Sequence, residues 1–96
     1  MTGKADILIV DDEETFRRVL AHELQARGHS VATAATGEDA LDRIRNGSYE
    51  VVLLDIKLPG IDGLAVLEAL REQAPLTQVI MLTGHGALDT AIRAMK

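Results

Sequence analysis

Short apolar runs alternate with amphipathic segments along the chain, and this alternation constrains the fold more than any other feature. Residues 6–10 read DILIV, 30–34 SVATA, 51–54 VVLL and 78–82 QVIML. Each is short, apolar and bounded by turn formers, which predicts a strand. Three of the four are near-continuous apolar runs, the pattern of strands covered on both faces. Between them, Phe16, Val19, Leu20 and Leu24 recur at helical spacing, as do Ala40, Leu41 and Ile44, then Leu64, Leu67 and Leu70. Leu88, Ala91, Ile92 and Met95 complete a fourth set at i, i+3, i+4 and i+7. Four successive strand–helix units predict an α/β fold: a doubly wound parallel sheet with right-handed crossovers and helices on both faces.

The punctuation supports the same division. Thr36 is placed to cap the second helix, with Glu38 and Asp39 in its first turn. Asp62 has the same role before the third helix, and Gln73-Ala74-Pro75 ends that helix. Gly28 and Gly47 stand where a helix stops on a left-handed residue. No linker, low-complexity run or repeat beyond the βα unit interrupts the pattern.

Composition narrows the function classes. Ninety-six residues suit one domain. Its core must be aliphatic, because Phe16 and Tyr49 are the only aromatics. Fifteen acidic against ten basic residues give a net charge of −5, which argues against direct nucleic acid binding by this segment. Without cysteine there are no disulfides or thiolate metal sites. The apolar stretch in MTGKADILIV is too short for a signal peptide, and no run approaches membrane-spanning length. The expectation is a soluble cytoplasmic domain with no membrane partner.

In doubly wound sheets, chemistry gathers at the carboxyl ends of the strands. The first strand ends in Asp11-Asp12, the third in Asp55 and the fourth in Thr83-Gly84, while Ala34-Ala35 after the second offers no chemistry. Three carboxylates and a hydroxyl therefore converge on one rim. Clustered acids repel and must be solvated or neutralised. A hard cation such as Mg²⁺, bound by oxygen ligands, meets that need. Pro59-Gly60 turns the chain away after Asp55, leaving the rim open and exposing backbone carbonyls.

Blander roles compete residue by residue. Glu13 and Glu14 suit the dipole of the first helix. A lone Asp55 would be read as a turn former, and Thr83 as an ordinary strand residue. His22 reads as a solvated helix residue, since HELQA is not a zinc motif. His29 falls in a turn, His85 reads as solvated, and Lys4 and the arginines as surface charge.

Taken together, ILIVDDE at 7–13, VVLLDIKLPGIDG at 51–63 and VIMLTGHG at 79–86 resemble the receiver domain of two-component response regulators, over the whole chain. TGHG and the helix ALDTAIRAMK are most similar to receivers of transcriptional regulators carrying ATPase and DNA-binding output domains. The resemblance implies a flavodoxin-like fold with strand order 2-1-3-4 for the four units present. It implies that Asp55 is the phospho-acceptor, receiving a phosphoryl group from a sensor histidine kinase with Mg²⁺ as cofactor. Asp12 would bind the ion directly, Asp11 mainly through a metal-bound water, and Lys57 through its backbone carbonyl. Thr83 would be the switch hydroxyl and Gly84 the small residue that keeps the acceptor accessible. Lys57 and His85 would tune reaction rates. The domain would be a phosphoryl acceptor in signalling and not a conventional enzyme.

Two other functions fit less well. An aspartate-nucleophile phosphatase wants a second acid two residues after Asp55, where Lys57 stands. A nucleotide-binding domain wants a glycine-rich loop where the sequence is DDEE. A pseudo-receiver, binding protein without phosphorylation, stays open because complete receivers carry a fifth βα unit with a lysine after its strand. Residues 1–96 are thus expected to be a receiver truncated within its fourth helix. Such truncation would uncover the fourth strand's edge and parts of Phe16, Val19 and Leu20, favouring self-association.

Overall fold

The structure, a computed structural model, describes residues 3–55, 58 and 63–82. Strands and helices alternate strictly among them: β1 (Asp6–Val10), α1 (Glu14–Ala26), β2 (Ser30–Ala34), α2 (Gly37–Asn46), β3 (Val51–Asp55), α3 (Gly63–Gln73) and β4 (Gln78–Leu82). The strands coincide with the four apolar runs, β3 continuing one residue further to Asp55. All pairings are parallel and the order is β2-β1-β3-β4. The doubly wound α/β sheet expected from the sequence is therefore the fold. The expected fourth helix, Asp62, Lys57, Thr83, Gly84 and His85 lie outside the described residues.

Position in the sheet decides burial. Inner strands β1 and β3 have helices on both faces, so Ile7 to Val10 and Val52 to Leu54 are fully buried. Outer strands β2 and β4 are mostly half-buried. One core layer lies under α1, where Leu20 and Leu24 meet Ile7, Ile9, Leu53 and Leu82. The other lies under α2 and α3, where Ala40, Ile44, Val66 and Leu70 meet Leu8, Val10, Val52 and Leu54. Each fully buried aliphatic side chain contributes about 1.5–3 kcal/mol of apolar transfer. These layers hold the strand ends that carry the acids.

Helix termini follow local chemistry. Thr36 Oγ1 accepts from the Asp39 N–H at 3.1 Å, the expected cap. Gly28, with φ of 94°, ends α1 in the left-handed region. The Gly28 N–H donates to Gln25 O and the His29 N–H to Leu24 O, the paired bonds of a Schellman motif. His29 does lie in this turn, and its Nδ1 accepts from the Ala5 N–H at 3.0 Å, tying the entry of β1 to that of β2.

Three expectations need correction. Gly47 is not left-handed but extended, with φ of −148°. A Cβ there would lie 3.3 Å from Tyr49 Oη and 3.4 Å from the Arg43 carbonyl, so glycine provides room for the tyrosine ring. On α3 Leu70 is buried and Leu67 packs on the core as expected, but Gly63 and Val66 complete the buried stripe and Leu64 is 58% exposed. The 3.6-residue period fits either set, and the direction of approach to the sheet selects one. On α1, Val19 is exposed and Phe16 partly so, but Leu20, also expected to be partly uncovered, is fully buried.

Candidate functional site

The site is built where β1 and β3 end side by side. Their register sets Val10 opposite Leu54, so the next residues, Asp11 and Asp55, stand side by side at the rim of the sheet. Asp55 is itself still paired with Leu82 of β4. Carboxylate oxygens of Asp11, Asp12 and Asp55 all lie within 4.8 Å of one another. The three acids singled out from the sequence are therefore brought together. They differ in environment: Asp11 is buried, Asp55 half-buried and Asp12 exposed.

Asp11 is the only buried charged residue among those described. Its N–H makes a last ladder bond to Ala34 O at 3.1 Å. Its Oδ1 accepts from the Glu13 N–H at 2.8 Å, an Asx turn that swings the chain from β1 into α1. Burial, followed by the charges of Asp55, Asp12 and Glu13, pushes the Asp11 carboxyl above its ordinary value of 3.8, against the downward pull of the Glu13 hydrogen bond. Glu13 and Glu14 fill the helix-start roles: Glu13 is the N-cap residue and Glu14 lies in the first turn, 3.8 Å from Arg18.

This environment has a pH consequence. A carboxyl with a raised folded-state pKa binds its proton more tightly when folded. Its stabilising contribution is fully present below the unfolded value of 3.8 and is lost as pH rises through the folded value. At neutral pH without divalent cations, ionised Asp11 therefore costs stability. Asp11→Asn keeps an oxygen for the Glu13 N–H and removes the charge, so the variant is expected to melt above wild type at pH 7. The gap should narrow as the pH falls through the raised folded value and be gone below 3.8. Thermal unfolding across pH in a chelating buffer checks this; a lower melting temperature for the variant at pH 7 contradicts it.

Two contributors escaped sequence reasoning. Arg17, read as surface charge, donates from Nη1 to the backbone carbonyl of Asp11 at 2.7 Å. The available signal was a cation four residues into a helix, close to the end where the dipole favours anions. Leu58, three residues after Asp55, is 8% exposed and joins the core under α2 and α3. His22 is exposed on α1, as expected. No helix among the described residues is long and apolar enough to cross a membrane.

Residues 7–96 match the response regulator receiver domain family. A putative NtrX-like response regulator of Rickettsia felis is 42% identical over 96 residues, covering 98% of this chain and 20% of that protein. The chain thus spans about a fifth of the length of this relative. The crystal structure of NtrX from Brucella abortus superposes with a TM-score of 0.81 at 41% identity, covering 97% of this chain and 21% of that one. The response regulator TrrA from Thermotoga maritima, solved in complex with Mg(2+)-BeF, gives a TM-score of 0.79 at 38% identity, covering 97% and 80%. With its strand order, its acidic rim and a family match from Ile7 to the last residue, the chain belongs to the receiver domains of two-component response regulators.

Proposed function

We propose that this receiver accepts a phosphoryl group on Asp55 from a histidine kinase and passes the signal to an output domain of the regulator it belongs to. The observation that carries the reading is the clustering of the three carboxylates at the ends of β1 and β3. The donor set is all oxygen, and Asp11 is pushed up by burial and by its neighbours' charge, so the site favours a small hard cation. The complex of TrrA with Mg(2+)-BeF supports Mg²⁺ as that cation.

Asp11, Asp12, Asp55 and the Lys57 backbone carbonyl would hold it. When bound, the ion offsets the repulsion between the carboxylates and an incoming phosphate. Asp55 supplies the nucleophile: a carboxylate oxygen attacks phosphorus in line, an O–P bond forms, and the N–P bond to the kinase histidine breaks. The freed imidazole nitrogen takes up a proton from solvent, and Asp55 becomes an acyl phosphate. Thr83 is the hydroxyl that meets the new charge and biases a two-state equilibrium. Gly84 leaves the acceptor open, and Lys57 and His85 set how quickly the acyl phosphate forms and hydrolyses. Relatives named as transcriptional regulatory proteins, TcrA of Mycobacterium tuberculosis among them, support an output in transcription regulation.

The test is incubation with a phospho-histidine protein or a small phosphoramidate donor, followed by intact-mass measurement. One added phosphoryl group is expected with Mg²⁺ present and none when a chelator replaces it. Equal labelling in both conditions contradicts the proposal.

A further inference from the structure

Arg17 contributes no carboxylate and holds no place in the acidic cluster, yet its guanidinium bonds to the backbone of that cluster. Beyond Val10 the pairing of β1 with β2 ends. The Asp11 N–H still reaches Ala34 O, but there the chain after β2 turns to start α2 at Gly37, with Thr36 as its cap. The Asp11 carbonyl is met instead by Arg17 Nη1 at 2.7 Å, from one turn into α1. A short bond from a cation is among the stronger hydrogen bonds a protein makes. The same residue is held a second time, Asp11 Oδ1 accepting from the Glu13 N–H at 2.8 Å. Arg17 in turn is fixed by the helix, its own N–H donating to Glu13 O at 3.1 Å. Asp11, Glu13 and Arg17 therefore close a small ring of bonds around the β1–α1 turn, and Asp12 is the residue enclosed between its fixed points.

This matters because carboxylate oxygens of Asp11, Asp12 and Asp55 lie within 4.8 Å of one another, and Asp12 is exposed at the surface. Left to repulsion, the turn would splay and the oxygens would separate. We propose that Arg17 is a positioning residue: it clamps the Asp11 carbonyl so that the Asp11 and Asp12 carboxylates stay in the geometry a divalent cation needs. The inference rests on the reading of the acidic cluster as a Mg²⁺ site, but its backbone half stands independently of any ion. Partners that orient ligands in this way typically change metal affinity by about 10–100-fold when removed.

The experiment compares wild type, Arg17→Met and Arg17→Lys, using amide hydrogen exchange without metal and titration with Mg²⁺ alone. Arg17→Met keeps the apolar stem and removes donor and charge. It is expected to speed exchange of the Glu13 amide selectively, leave β1 and β3 core amides unchanged, and weaken Mg²⁺ binding about tenfold. Arg17→Lys, with the charge and one donor family retained, is expected to recover part of both losses. Wild-type Glu13 exchange in Arg17→Met overturns the proposal, as does uniform acceleration across the core, which would mark a general loss of stability. Undiminished Mg²⁺ affinity in Arg17→Met, beside a wild type that binds, also overturns it. A wild type that does not bind Mg²⁺ overturns the metal reading, and the exchange comparison alone then decides the role of Arg17.

Discussion

Asp55→Asn is expected to abolish phosphoryl uptake outright while leaving the fold in place. The carboxamide has the shape of the carboxylate but no anionic oxygen to attack phosphorus. Asp55 ends β3 and is paired in register with Leu82, a backbone relation that the substitution preserves. It also removes one of the charges that push Asp11 upward. The variant should therefore melt no lower than wild type, so lost labelling could not be ascribed to unfolding. Intact-mass measurement after exposure to a phospho-histidine donor, paired with a thermal melt, checks both halves. A variant that labels as well as wild type would remove Asp55 from the acceptor role.

The second large effect is on stability. Leu8 is fully buried in the central strand β1, with Ala32 and Val52 as its lateral partners. It faces the layer of Ile44, Val66 and Leu70. Strand pairing on both sides prevents the backbone from collapsing into a void. Leu8→Ala is therefore expected to cost about 2–5 kcal/mol. A domain of this size has about 5–10 kcal/mol in total, so the variant would stand near the edge of folding. Leu76 is the contrast: at 98% exposed it has almost nothing to lose, and Leu76→Ala should fall within about 0.5 kcal/mol of wild type. Urea denaturation with an unchanged slope is the measurement. A loss below about 1 kcal/mol at Leu8 would mean that this layer is not close-packed.

Much of this architecture could be read from residue pattern, for identifiable reasons. Parallel strands in a helix-covered sheet are short apolar runs, so the bounds Asp6–Val10 and Gln78–Leu82 are legible to the residue. The site was legible because strand ends are fixed by the same runs: once VVLL is a strand, Asp55 is at its rim. What could not be read depends on partners distant in sequence. Whether α3 buries Leu64 or Val66 depends on how the helix meets the sheet, and both lie within the periodic pattern. Gly47 looked like a left-handed stop because glycine often is one, and only the Tyr49 ring reveals the actual constraint. Arg17 is legible only as a cation placed against the helix dipole, because its target is a backbone carbonyl, which carries no signature in the side-chain alphabet.

The central claim is that the strand-end carboxylates form a site at which Asp55 itself carries the phosphoryl group. Borohydride tests it most directly, because it reduces an acyl phosphate to the alcohol and so converts a phosphorylated aspartate to homoserine. Labelled protein would be reduced, digested and sequenced by mass spectrometry, with Mg²⁺ and with chelator. The account predicts homoserine at position 55 alone, and only in the sample that contained Mg²⁺. Homoserine at Asp11 or Asp12, or a label that resists borohydride and maps to a histidine or hydroxyl residue, would contradict it.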